Sequence, residues 1–162
     1  MQIGFLHLSD IHIQSSSDWI INQASQLKTA LNTVFENCNR VYIIVSGDVV
    51  YSGKCEEYAI AKTFLSGIRD WLNRVYGKDM LFQQIIVSPG NHDCDFSQDS
   101  QVRRNTVKQM SAEIIGDDNS VIDLCVHVQK NFFTFEGELN SRSNARLFHL
   151  KKSCASEKPV IL

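Results

Sequence analysis

Five side chains in this sequence are of the types that hold divalent cations: Asp10, His12, Asp48, Asn91 and His92. Together they offer carboxylate oxygens, imidazole nitrogens and an amide oxygen. That mixed oxygen and nitrogen set suits Mn²⁺, Fe or Zn²⁺ better than thiol-seeking metals. A carboxylate such as Asp48 can bridge two cations, and two cations about 3.5–4 Å apart can clamp the attacking and leaving oxygens of an in-line phosphoryl displacement. Such cations also lower the pKa of bound water, so that hydroxide is available as a nucleophile near neutral pH.

The five residues come in three segments of one layout. Ile3-Gly4-Phe5-Leu6-His7-Leu8 runs into Ser9-Asp10-Ile11-His12, Val41-Tyr42-Ile43-Ile44-Val45 into Ser46-Gly47-Asp48, and Gln84-Ile85-Ile86-Val87 into Ser88-Pro89-Gly90-Asn91-His92-Asp93. Each time an apolar strand ends in serine or Ser-Pro and then delivers ligand-type residues. Taken singly the segments are ordinary. Asp-x-His is often a capping aspartate and a surface histidine, Gly-Asp is often a turn, and Asn-His-Asp after Pro-Gly is often only a loop. Their joint occurrence, in this order and after three strands, selects a metal site. In an open parallel α/β sheet, binding sites lie beyond the C-terminal ends of the strands. Neighbouring parallel strands would therefore project all three segments to one place.

The elements that must do this are legible in outline. Strands are expected over residues 3–9, from Val41, and over 82–88, with apolar residues on both faces of the first, as in a parallel sheet covered on both sides. His7, inside the first strand, reads as a hydrogen-bonded structural histidine in preference to a site residue. Asp18 can cap a helix whose buried face is Ile20, Ala24, Leu27, Leu31 and Val34. Glu56 and Glu57 suit the first turn of a second helix. Ala61, Phe64, Ile68, Leu72 and Val75 form its buried face, Trp71 its edge, and Gly77 its stop. The order is βαβαβ, with right-handed crossovers expected. Further on, the pattern predicts a helix over 99–115 with Val107, Met110, Ile114 and Ile115 on one side, and a turn at 116–119. An apolar segment over 121–135 reads as helix or extended chain, 137–146 as loop, and Leu147–Leu150 as a short strand.

Composition narrows the function classes. The 162 residues suffice for one domain with a real core, and the 43% apolar and 21% charged content is that of an ordinary globular chain. A net charge of −2 gives no footprint for gripping a nucleic-acid backbone broadly. No window is apolar and long enough to span a membrane, and the N-terminus lacks a signal-peptide pattern. Five cysteines without a CxxC pair indicate reduced thiols, hence a cytoplasmic protein. Tyr51-Ser52-Gly53-Lys54 either lines a substrate pocket, with Lys54 near phosphate, or is a solvated loop. Cys94 reads as a small loop residue. Arg103-Arg104 and Lys151-Lys152 read as solvated surface.

The set Asp10-x-His12, Gly47-Asp48 and Gly90-Asn91-His92-Asp93 resembles the calcineurin-like metallophosphoesterase superfamily. The resemblance implies an α/β fold with a layered β-sheet core flanked by helices. It implies two divalent metal ions, Mn²⁺ first, with Fe, Zn²⁺ and Mg²⁺ as alternatives. Asp10 and His12 would bind the first, Asp48 would bridge, and Asn91 would bind the second. His92 would face the substrate, stabilising the phosphate or protonating the leaving oxygen, and Asp93 would orient His92 by accepting its other N–H.

Two further family motifs, a histidine after a later strand and a Gly-His-x-His, are absent, and neither His127 nor His149 has the setting of a ligand. Residues 1–162 are therefore expected to form a single phosphoesterase domain truncated at its C-terminus, the N-terminal half of a double-sheet αββα fold. A partner chain or a C-terminal segment would complete the site, and apolar surface would be left unburied. The expected activity is that of a metal-dependent phosphoester hydrolase of phosphodiesterase or nuclease type, acting on a nucleotide or nucleic acid. Asp48-Val49-Val50-Tyr51-Ser52 lacks the second aspartate usual in the protein-phosphatase branch. The alternative is a catalytically incomplete fragment serving as a partner-binding or regulatory module.

Overall fold

The computed structural model describes residues 2–76, 81–109 and 119–139. Strand β1 (Ile3–Leu8) leads through a loop to two short helices, α1 (Trp19–Asn22) and α2 (Ala24–Phe35). Strand β2 (Arg40–Ser46), helix α3 (Cys55–Tyr76) and strand β3 (Leu81–Ser88) follow. Beyond β3 come a 3₁₀ turn (Phe96–Gln98), α4 (Gln101–Gln109), α5 (Asn119–Cys125), a second 3₁₀ turn (His127–Gln129) and α6 (Lys130–Leu139). The expectations for Gly77, Met110, Ile114, Ile115, the turn at 116–119, Leu147–Leu150, His149 and the chain end lie outside the described residues.

The three strands form a parallel sheet in the order β1-β2-β3. Register sets the site: Leu8 lies opposite Val45, Val45 opposite Val87, and Ser46 opposite Ser88. The three ligand-bearing loops therefore leave the sheet at one level.

Among the described residues the sheet is covered on one face, where cover on both was expected. Crossovers of one hand that advance in one direction put their helices on the same side. That side is the core, where Leu6, Val41, Ile43, Val45, Ile85 and Val87 pack with residues of α2 and α3. The opposite face of β1 is open among the described residues: Phe5 is 59% exposed and stacks on Tyr42 at 5.6 Å.

Helix phase departs from expectation twice in the same way. Val34 is 68% exposed while Phe35 is buried, and Val75 is exposed while Tyr76 packs against the core. In both cases the last turn uses an i,i+4 aromatic, Leu31 to Phe35 and Leu72 to Tyr76, where the i,i+3 valine was expected. Phe35 fits because Gly4 has no side chain. A Cβ there would lie 2.8 Å from the Phe35 ring. Asp18 holds the N-cap position of α1, but its carboxylate turns back to accept from Gln14 N (2.6 Å), Ser15 N (3.0 Å) and Ser15 Oγ (2.8 Å). Those bonds hold its pKa below the usual range.

The apolar segment after residue 119 is helical. Helix α6 lies on α3, with the Phe135 ring 5.0 Å from that of Tyr58 and Arg69 donating to Leu139 O at 3.0 Å. It runs through Leu139, so residues 137–139 are helical where loop was expected. Helix α4 buries no residue, and Val107 is exposed against expectation. Arg103 and Arg104 are not free surface charges; both pair with Asp99, and Arg103 Nε also donates to Cys125 O at 2.7 Å.

Candidate functional site

The loops that follow β1 and β2 continue the ladder beyond the sheet. His12 N donates to Asp48 O at 3.0 Å, Ile13 N to Val49 O at 3.1 Å and Tyr51 N to Ile13 O at 3.2 Å, while Gly47 N donates to Ser88 O at 3.0 Å. Along this stitched path the chain takes left-handed backbone at Asp10 (φ 52°), His12 (φ 53°) and Asp48 (φ 50°), the non-glycine residues with positive φ among those described. Asp and His tolerate that region better than bulkier residues, at a cost of about 1–3 kcal/mol each. All three are candidate ligands.

His12 Nε2 stands 4.0 Å from Asp10 Oδ1 and 3.9 Å from Asp48 Oδ2. Donor atoms of His12, Asp48 and His92 all lie within 4.8 Å of one another. These separations are too long for hydrogen bonds. The two distances from His12 Nε2 fall within the span of two donors each about 2.0–2.2 Å from a shared cation. The other nitrogen of the ring, Nδ1 of His12, is buried with no hydrogen-bond partner among the described residues. An imidazole whose Nε2 faces two carboxylates at about 4 Å, beyond hydrogen-bond reach, leaves room for a divalent cation between them.

Asp48 uses its other oxygen, Oδ1, to accept from His92 N at 2.9 Å, which ties the second loop to the third. The carboxylate lies directly over Gly90. A Cβ at Gly90 would collide with the Asp48 carboxylate and approach Asp48 N to 2.6 Å, so this position demands glycine. Asn91 is exposed and lines the cavity that His92 also borders. Of the expected set, Asp10, His12, Asp48 and His92 come together around Nε2 of His12, with Asn91 at the adjoining cavity.

Asp93 is where the structure departs from expectation. Its carboxylate does not reach the His92 ring. It is fully buried and accepts from Val49 N (3.1 Å), Gly90 N (2.9 Å), Val50 N (3.2 Å) and Tyr58 OH (3.0 Å). Burial pushes its pKa up, and the four donors pull it only partly back. The side chain after His92 in a tight turn points into the fold, where three backbone N–H groups need an acceptor. Asp93 thus clamps the Asp48 loop to the Gly90 loop. The Tyr58 phenol is pushed well above its usual pKa, first by burial and then by the Asp93 charge, so it acts as a neutral donor.

The orienting partner of His92 is the main-chain carbonyl of Tyr51, 2.8 Å from Nδ1. A carbonyl only accepts, so Nδ1 carries the proton and Nε2 is the working nitrogen. The Tyr51 ring leans on the imidazole (5.3 Å, 32°), and the His12 ring meets it edge-on (4.6 Å, 81°). A backbone partner leaves no mark in residue type, so sequence reasoning missed it. Tyr58 could have been found by carrying the α3 face one turn back from Ala61.

Lys54 borders the cavity beside His92, and its ammonium is engaged by an ion pair. Its Nζ lies 2.6 Å from both Asp95 Oδ1 and Ser97 Oγ. Burial alone would raise the Asp95 pKa, but Lys54, Ser97 and Gln98 outweigh it and hold the carboxyl at about 2. Glu57, also buried, accepts from Ser52 N (2.9 Å), Ser52 Oγ (2.8 Å) and Lys54 N (3.3 Å). Asn131 Nδ2 donates to Gly53 O at 2.8 Å and Asp95 N to Val128 O at 2.7 Å, so the first turn of α6 and the 3₁₀ turn before it back both site loops. Cys94 is buried, and burial raises its pKa, which makes it an inert thiol. His7 lies outside the cluster, its Nε2 2.6 Å from Ser46 Oγ, a hydrogen-bonded histidine as expected.

A family model described as calcineurin-like phosphoesterase matches residues 3–159. No curated protein matches the chain. No described helix is long and apolar enough to cross a membrane.

Proposed function

The chain belongs to the calcineurin-like phosphoesterase family, whose chemistry is metal-dependent phosphoester hydrolysis, and from that premise we propose a dinuclear hydrolase of phosphodiester bonds. Asp10 and His12 would hold the first cation and Asn91 the second, with Asp48 shared between them. Mn²⁺ is the metal that best suits this oxygen-rich set with one imidazole. Bound cations neutralise charge on the phosphoryl oxygens and acidify water. The chain's own residues do the rest. His92, with its Nδ1 proton donated to Tyr51 O, presents Nε2 to the substrate. In its imidazolium form it gives the Nε2 proton to the leaving oxygen and keeps the one on Nδ1; in either form the hydrogen bond from His92 N to Asp48 Oδ1 fixes its position. Asp93 serves as a positioning residue for both loops.

The observation that carries this reading is His12 Nε2 facing Asp10 and Asp48 at about 4 Å, too far for a hydrogen bond and close enough to share a cation. Free thiols at Cys38, Cys55, Cys94 and Cys125 support placing the protein in the cytoplasm. The test is calorimetric titration of Mn²⁺ into the purified chain, with hydrolysis of bis-p-nitrophenyl phosphate followed in the same samples. Two bound metals and hydrolysis that Asp48→Asn reduces to background support the proposal. Absence of both metal binding and hydrolysis sinks it for this chain alone.

One observation favours a second reading, a phosphoesterase fragment completed by a partner chain: the open face of β1, where Phe5 stacks on Tyr42 in solvent. Light scattering separates the two. A monomer that binds two metals argues against the need for a partner.

A further inference from the structure

Beside His92 lies a cavity of about 400 Å³ that adjoins the ligand cluster through Asn91 and extends away from it to Phe96 and Ser97. Its size is that of a small-molecule pocket. His92 and Asn91 border it on the side of the ligand cluster, and Tyr51 and Phe96 supply its aromatic walls. Both rings are unusual for their exposure. Phe96 is 58% exposed and Tyr51 49%. An exposed phenylalanine ordinarily sits on a loose tip, but Phe96 opens a 3₁₀ turn held tightly from beneath. Asp95 caps the turn by accepting from Ser97 N at 3.1 Å, takes the Lys54 ammonium at 2.6 Å, and is tied through its own N–H to Val128 O at 2.7 Å. The turn is fixed while the ring is left out of the core, which is the arrangement of a preorganised contact surface.

The charges lining the cavity sharpen the choice of ligand. Its lysine, Lys54, is engaged by Asp95 and Ser97, and the Asp95 carboxylate is matched in turn. Among the described residues, no unpaired lysine or arginine lines the cavity to track a second phosphate along a polyanion. What remains is aromatic surface beside His92, open to a flat uncharged group attached to the phosphoryl centre. A charged headgroup or a phosphopeptide would find no partner there.

We infer that this cavity seats a nucleobase, stacked on Phe96 and flanked by Tyr51, so that the preferred substrate is a nucleotide phosphoester. The assignment rests on the reading of the neighbouring cluster as a phosphoester hydrolase site. Base–aromatic stacking scaled by alanine substitution corresponds to roughly a tenfold change in affinity.

The experiment compares adenosine 5′-monophosphate with ribose 5-phosphate, which keeps the phosphate and sugar and lacks the base. Both are titrated calorimetrically into the full chain with Mn²⁺ present. Adenosine 5′-monophosphate should bind about tenfold tighter; Phe96→Ala should erase that ratio and Phe96→Trp should restore it. Circular dichroism should show the three proteins equally folded, since the ring is not part of the core. Equal affinities, no binding of either probe, or a ratio untouched by Phe96→Ala would overturn the inference. Hydrolysis of bis-p-nitrophenyl phosphate is measured alongside. If it is absent while the base preference holds, the hydrolase reading fails and the base site stands. If it is present without a base preference, only the base site fails.

Discussion

Replacing Asp93 by asparagine changes the chemistry of one buried atom and separates two roles for that residue. Oδ2 accepts from Val49 N and Gly90 N, and Oδ1 from Val50 N and Tyr58 OH. The amide oxygen of asparagine can serve one of these pairs. If it faces Val49 and Gly90, the new NH₂ meets Val50 N–H, while the Tyr58 hydroxyl can rotate to accept. One backbone N–H is then left without an acceptor, at about 1–3 kcal/mol, and the remaining bonds lose their charge assistance. The buried anion carries a desolvation cost, visible in its raised pKa, that the amide does not, and this offsets part of the loss. The net expectation is a destabilisation of about 2 kcal/mol. With a urea slope of about 1–3 kcal/mol/M, the unfolding midpoint falls by about 1 M. Mn²⁺ affinity should fall with it, because the clamp holds the loops that carry Asp48 and Asn91. The assay is urea unfolding followed by far-UV circular dichroism, with metal titration at the same pH. A midpoint unchanged within about 0.2 M, with turnover nevertheless lost, would refute the clamp and return Asp93 to a direct role on His92.

Other substitutions test other joints of the site. Gly90→Ala should abolish Mn²⁺ binding, because its Cβ meets the Asp48 carboxylate and backbone; wild-type affinity in that variant would contradict the packing. Asp10→Gly should weaken metal binding yet raise stability by about 0.5–1 kcal/mol, since it relieves left-handed backbone at an exposed side chain; thermal unfolding in EDTA reads the sign. Lys54→Met should cost roughly 1–2 kcal/mol, leaving buried Asp95 without its cation. The same pair sets a pH dependence. Asp95 has a folded pKa of about 2, below the ordinary carboxylate value of 3.8, so its stabilisation is complete above pH 3.8 and is lost as pH falls toward 2. Acid unfolding midpoints of wild type and Lys54→Met should therefore converge at low pH, and a constant gap down to pH 2 would argue against the ion pair.

Much of this protein is legible in its residues alone. Three apolar runs ending in serine, followed by Asp10 and His12, by Asp48 and by Asn91 and His92, determine both a parallel sheet and the loops that carry the ligands. These are local features: strand propensity, apolar periodicity, and the few residue types that bind cations or turn the chain. What the tertiary structure decided is non-local. Register and strand order put both crossover helices on one face and leave Phe5 in solvent. The i,i+4 aromatics Phe35 and Tyr76 displaced the expected valines because each had a partner to meet, Gly4 in one case and the Asn32 carbonyl at 2.9 Å in the other. Asp93 took three backbone N–H groups instead of an imidazole, and a peptide carbonyl at Tyr51 took its place beside His92. Sequence names the side chains that can act. Which of them meet depends on backbone groups that every residue shares, and only the folded chain shows where those groups point.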